Sequence, residues 1–221
     1  MMKKILLTLW LLIFGITFLS AVDGTLNIIF TNSSVFSDDT GDYYEFDVQA
    51  YISDGTDDPY RFQDGMVYIE YNTSVFGTNI ASSISVTKEG PLAKTIEPSA
   101  FYTLTNIENT ESDICAITFE KNAEIDTSWY DSETYISTSE SSPSTIMHIK
   151  MEFSSVGNVD VAWPSPEEDS LLNSTTIYTE IDGSNFEGFA TSNTTSDDDT
   201  FLDGTGDPAL PVTLSVLYRR I

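Results

Sequence analysis

The chain has one cysteine and one histidine in 221 residues. A single cysteine, Cys115, excludes an internal disulfide, and no CxxC or HxxxH spacing exists for a clustered metal site. A Ser–His–Asp triad would have to run through His148. Positive charge is also scarce. Nine Lys and Arg stand against 35 Asp and Glu, for a net charge of −26. Such a chain is repelled by nucleic acid and by anionic membrane surfaces, so nucleic acid is excluded as a partner. Helical periodicity is missing as well. Beyond the N-terminal segment, no run of ten or more residues repeats its apolar positions at 3.6, and no internal repeat is evident.

What is present begins with "MMKKILLTLWLLIFGITFLSAVDG". Lys3 and Lys4 precede an uncharged apolar run, Ile5 to Leu19, and the small residues Ser20 and Ala21. This is the pattern of a secretory signal peptide over residues 1–22, cut somewhere between about residues 20 and 25. The run is shorter than the roughly 20 residues of a spanning helix, so no membrane span is expected after cleavage. Export without a disulfide leaves stability to the core, and 40% apolar and 12% aromatic residues are enough to build one.

Period-two alternation dominates from residue 25 onward. In "YYEFDVQAYIS", Tyr44, Phe46, Val48, Ala50 and Ile52 fall on one face, and Glu45, Asp47 and Gln49 on the other. Such a strand must meet a second layer. Further strands are expected at 25–30, 65–71, 80–87, 101–107, 113–120, 133–138, 145–153, 157–163, 175–181 and 209–218. Turn formers separate them, as in "SDDTGD", "SDGTDDP" and "SESSPS". Many short strands with such turns predict an all-β fold, an antiparallel β-sandwich of jelly-roll or Greek-key type. The sandwich is expected over 23–190. An acidic loop or linker follows at 191–208, and a terminal strand at 209–221, where Val212, Leu214, Val216 and Tyr218 share one face.

In "GMVYIEYNTSVFG", Gly65 is expected to start a strand after a turn. Val67, Ile69 and Tyr71 face the core, and Glu70 faces solvent. Phe76 anchors the next loop, and Gly77 permits a sharp turn. Cys115 shares a face with Ile117 and Phe119, which reads as a buried structural thiol. His148 lies opposite Met147, Ile149 and Met151, on the face of Lys150 and Glu152, with no visible catalytic partner. Trp163 reads as a core residue at a strand end.

Three groups could bind something. Asp197, Asp199, Asp203 and Asp207 sit close together with Gly204 and Gly206, a set of hard oxygen ligands suited to Ca²⁺, although the spacing is not that of an EF-hand. Asp38, Asp39 and Asp42, and likewise Asp54, Asp57 and Asp58, are shorter versions, and Asp and Gly are also ordinary turn formers. Trp129, Tyr130 and Tyr135 form an aromatic group beside carboxylates, which can stack on sugar rings or fill the core. Asn32, Asn72, Asn173 and Asn193 stand in N-x-S/T triplets and read as turn residues. Two carboxylates suffice for glycoside hydrolysis, but 35 acids make chance pairs unavoidable.

"YYEFDVQAYISDGTDDPYRFQDGMVYIEYNTSVFG" resembles the front of bacterial secreted β-sandwich domains, with "IMHIKMEF" similar to their later core strand. "ALPVTLS" resembles the segment that precedes C-terminal sorting domains of type IX secretion. The pattern is also similar to cohesin-like domains, and the resemblance covers roughly residues 25–215. It implies a cohesin-like jelly-roll sandwich, secreted or at the cell surface, that offers a sheet face or edge to a glycan or protein partner without catalysis. The family pattern continues into a sorting domain, whereas this chain stops at "VLYRRI", which is expected to reflect a truncated reading frame or a different ending. The alternative is a secreted carbohydrate-active hydrolase using paired carboxylates. It would require a concave pocket where two acids converge.

Overall fold

The computed structural model describes residues 25–53, 60–96, 99–123, 132–155, 157–164, 176–181, 184–192 and 212–220. Among the described residues, twelve strands run in chain order: β1 (Thr25–Asp38), β2 (Gly41–Ser53), β3 (Tyr60–Glu70), β4 (Ser85–Lys88), β5 (Thr95–Ile96), β6 (Ser99–Ala100), β7 (Tyr102–Asn109), β8 (Ile114–Lys121), β9 (Ser144–Glu152), β10 (Thr176–Ile181), β11 (Ser184–Ser192) and β12 (Val212–Arg220). Two one-turn helices, α1 (Thr73–Phe76) and α2 (Gly90–Ala93), follow β3 and β4. Among the described residues no helix is long and apolar enough to cross a membrane.

Ten strands form one sheet in the order β4-β9-β2-β1-β12-β11-β10-β3-β8-β7, with β5 and β6 as a separate pair. Every pairing within the large sheet is antiparallel. The chain leaves β2 on one flank for β3 on the other, and returns from β8 to place β9 beside β2. Crossovers of this kind are those of Greek-key sandwiches.

The two flanks share one core. Phe46, Val48, Met147 and Ile149 from β2 and β9 belong to the same buried cluster as Phe62, Val67, Ile117 and Phe119 from β3 and β8. The architecture is therefore an antiparallel β-sandwich, and the alternation in β2 produces it directly: its even positions from Tyr44 to Ile52 are all buried. Aromatic contacts join the flanks. The Phe76 ring lies 6.2 Å from both Tyr44 and Tyr71, and Trp163 stacks on Phe30 at 3.8 Å.

Two expected strands serve as ties. Within residues 157–163, Ala162 bridges to Glu70. The Asn72 N–H donates to the Val159 carbonyl at 3.0 Å, so the segment is pinned to the β3 flank while Trp163 reaches Phe30 of β1. Residues 133–138 contain a 3₁₀ turn, Ser132–Thr134. The Ile136 N–H donates to Tyr60 O and the Ile52 N–H to Ser137 O, both at 2.8 Å, which links β3 to β2. Alternation alone cannot distinguish such ties from strands, because both bury every second residue.

Other boundaries also move. β1 continues to Asp38 through a bulge between Thr31 and Ser34, where Asn32 takes a left-handed φ of 55°. Ile80–Ser82 form a 3₁₀ turn before the short β4. β11 was not expected, and it extends to Ser192. β12 lies between β1 and β11, with Leu214 opposite Ile28 and Val216 opposite Leu26. The terminal strands β4 and β7 have one neighbour each in the sheet order. The Lys88 ammonium donates to the Tyr102 carbonyl and so connects β4 to β7. Burial lowers the pKa of Lys88, as expected for an amine drawn against the body of the protein.

The stretch 65–77 departs from expectation at its start. β3 begins at Tyr60, so Gly65 lies within the strand. A Cβ there would come within 2.8 Å of the Phe119 ring and 2.9 Å of Ile177, so glycine permits close packing here and is not a strand-initiating turn residue. Val67, Ile69 and Tyr71 are buried. Asn72 caps α1 by accepting the Ser74 N–H at 2.9 Å, and Gly77 ends it at φ 82°, a value that favours glycine.

Phe76→Ala is expected to destabilise the protein by about 3–5 kcal/mol, because it removes a buried ring between the flanks. Gly65→Ala should cost about 1–3 kcal/mol through overpacking. Urea unfolding of both variants checks these values. A Phe76→Ala variant that unfolds with the parent would show that the ring is not part of the inter-flank core.

Candidate functional site

The outward face of β2 and β9 carries a connected polar cluster. Antiparallel register sets Asp47 directly opposite His148 and Glu45 opposite Lys150. The His148 Nδ1 lies 2.9 Å from Asp47 Oδ1, and its Nε2 lies 3.4 Å from Glu45 Oε2. The remaining carboxylate oxygens are held from β1. The Asn32 amide donates to Asp47 Oδ2 at 2.8 Å, and the Ser34 hydroxyl to Glu45 Oε1 at 2.9 Å. The bulge at Thr31–Ser34 allows both residues to reach this row. The His148 side chain is 34% exposed, Asp47 19% and Glu45 27%.

This corrects the expectation that His148 stands without partners. The alternation places Glu45, Asp47 and His148 on outward faces, but the pairing of β2 with β9 is not contained in it. The arrangement also limits the chemistry. An imidazole facing carboxylates at both nitrogens is satisfied when both nitrogens carry protons, and that form has no lone pair with which to act as a general base. The two carboxylates approach different ring nitrogens, so one ion cannot be held by all three residues. Among the described residues no group of three or more His, Cys, Asp or Glu side chains is disposed to bind a metal.

A second cluster lies further along the same strands. The Lys150 ammonium sits 3.5 Å from the centre of the Tyr43 ring and 4.6 Å from that of Phe36, and 3.6 Å from Asp38 Oδ2. The two rings stack on each other at 5.3 Å. Asp38 also closes the β1–β2 hairpin, where its Oδ1 accepts the Thr40 N–H at 2.7 Å and the Gly41 N–H at 3.3 Å. The Thr40 hydroxyl and backbone bonds hold its carboxyl below the ordinary range against slight desolvation, with Lys150 adding to them. Asp42 accepts the Ser37 hydroxyl. In this one of the two shorter acidic turns, the carboxylates Asp38 and Asp42 are engaged in the turn itself. Asp54, Asp57 and Asp58 lie outside the described residues, as does the Ca²⁺ candidate Asp197, Asp199, Asp203 and Asp207.

Of the aromatic group, Trp129 and Tyr130 lie outside the described residues. Tyr135 is half-buried, with the Arg61 guanidinium 4.6 Å from its ring centre, so a cation already occupies one ring face. Trp163 is buried against Phe30, as the sequence predicts. Cys115 is fully buried, and burial, with the charge of Glu108, pushes its thiol up to about 12. A buried thiol in that state is not a nucleophile at neutral pH. Asn32 and Asn72 use their side-chain amides within the fold: Asn32 on Asp47, and Asn72 on Asn158 O at 2.8 Å and Asp160 Oδ2 at 2.9 Å. Asn173 and Asn193 lie outside the described residues, together with the N-terminal segment 1–24.

Glu70 was expected on a solvated face, but it is half-buried. Its backbone pairs with Ala162 in both directions. Burial raises its pKa, and the negative charges of Asp113, Glu111 and Asp160 raise it further. Comparison of the chain with known family models, with curated proteins and with solved structures gives no match.

The folded state thus disfavours ionised Glu70. Its unfavourable contribution is absent below the ordinary glutamate pKa and complete above the raised one. Glu70→Gln should therefore raise the melting temperature at pH 7, and the gain should shrink as pH falls toward about 4.3 and be absent below it. Thermal melts at the two pH values check this. A variant that melts lower than the parent at pH 7 would show that the charge is favourably placed.

Proposed function

We propose that the protein is a non-catalytic exported module that binds, adheres or supports at the cell envelope or beyond it. The observation that carries this reading is the state of the side chains best able to do chemistry. The only histidine is held between two carboxylates, and the only cysteine is buried in β8 with its thiol pushed up to about 12. The N-terminal signal pattern supports export. The resemblance to cohesin-like domains that precede type IX sorting domains supports a partner at the cell surface, either a glycan or a protein. Bound Ca²⁺ remains part of the proposal through Asp197, Asp199, Asp203 and Asp207. Trp129, Tyr130 and Tyr135 are its aromatic contact group.

The test pairs binding with turnover. The exported protein is applied to a glycan array and to surface extract from the producing cells, with and without Ca²⁺, and the same glycans are assayed for released reducing sugar. The expected result is retention of a glycan or surface protein with no product. Sugar release that is lost when a pair of carboxylates is converted to amides would establish the hydrolase reading instead.

A further inference from the structure

The Glu45–His148–Asp47 cluster has a consequence for how β9 is held. β9 lies between β2 and the edge strand β4, and β4 has no other strand neighbour in the sheet order. On the outer face Gln49 donates to Thr145 at 3.1 Å and Lys150 lies on the Tyr43 ring, and between them one imidazole joins β9 to β2, with Asp47 at Nδ1 and Glu45 at Nε2. A protonated ring donates to both carboxylates. A neutral ring has one N–H, so it satisfies one carboxylate and presents a lone pair to the other.

We propose that Glu45, Asp47 and His148 form a proton-operated latch that fastens β9, and through it the edge strand β4, to the body of the sandwich.

The charged groups around the ring are few. β2 supplies Glu45 and Asp47. β4 supplies Thr87, opposite His148, which is neutral. From β1, Asn32 and Ser34 are neutral and buttress the two carboxylates. On β9 itself, Lys150 is turned toward Asp38 and the Phe36 and Tyr43 rings, and Glu152 lies beyond it. The balance at the ring is therefore negative. Burial opposes the charged imidazole, but the hydrogen bond and charge of Asp47 and then the charge of Glu45 outweigh it, and the pKa of His148 stands above its ordinary value. A raised histidine contributes stability that is complete below the unfolded pKa of about 6.5 and lost as pH rises through the folded one. The latch is closed below about 6.5 and loosens as pH rises through the folded value.

The single histidine makes the test direct. The imidazole C–H resonances of the intact protein report one site, and their titration midpoint is expected above 6.5. Asp47→Asn and Glu45→Gln should each move it down. Hydrogen exchange at the β9 and β4 amides, corrected for intrinsic base catalysis, should quicken as pH rises through that midpoint. The gain should reach at most about tenfold for each unit by which the midpoint exceeds 6.5. In His148→Gln the corrected exchange should be flat across the same range. A midpoint at or below 6.5 would overturn the latch. So would corrected β9 exchange with no rise in the parent, or with the same rise in His148→Gln.

Discussion

The structure depends on one constraint: both flanks of a single antiparallel sheet must bury their alternate residues against each other. No disulfide shares the load. Aliphatic side chains fill most of the shared core, and aromatic rings bridge it. Phe76 lies between Tyr44 and Tyr71, and Trp163 stacks on Phe30. Each buried ring is worth about 3–5 kcal/mol, against about 0–1 kcal/mol for an exposed ion pair. Stability is therefore decided inside, and the outer faces are left to carry charge.

That charge is strongly negative, and the placement of the few cations follows from it. Lys150 lies against Asp38 and two rings, Lys94 meets Glu133, Arg61 covers Tyr135, and His148 lies between Asp47 and Glu45. Lys88 joins β4 to the Tyr102 carbonyl of β7. In a chain with so few positive groups, each of these acts as a local organiser of acidic or electron-rich surroundings. The same economy explains why the outer face of β2 and β9 is orderly without resembling a catalytic site: its polar atoms are directed at one another.

Much of the fold was legible in the sequence because strand burial has a period of two. Tyr44 to Ile52 announced β2 and its inner face, and Cys115, Ile117 and Phe119 announced that of β8. Failures came where alternation and pairing part company. Residues 133–138 and 157–163 alternate but act as ties between flanks. The second half of β1 was hidden by the polar bulge at Asn32 and Ser33, and β11, "SNFEGFATS", by its glycine and small polar residues. The cluster around His148 was not legible at all. Asp47 and His148 are 101 residues apart, and only the register of β2 against β9 brings them together. Glu70 was misplaced for a related reason, since Ala162, whose backbone pairs with it, comes from a distant segment.

The two flanks stand or fall as one cooperative core. Cys115 tests it, because it is a single buried thiol on the β8 flank, far in sequence from the Phe30–Trp163 stack. Its labelling by a thiol reagent in increasing urea gives the free energy of the opening that exposes it. This can be set beside the global unfolding free energy from tryptophan fluorescence and circular dichroism. The two are expected to agree, so that Cys115 is reached only through global unfolding. Labelling through an opening several kcal/mol cheaper than global unfolding would contradict it, and would mean that β3 and β8 separate from the rest of the sandwich on their own.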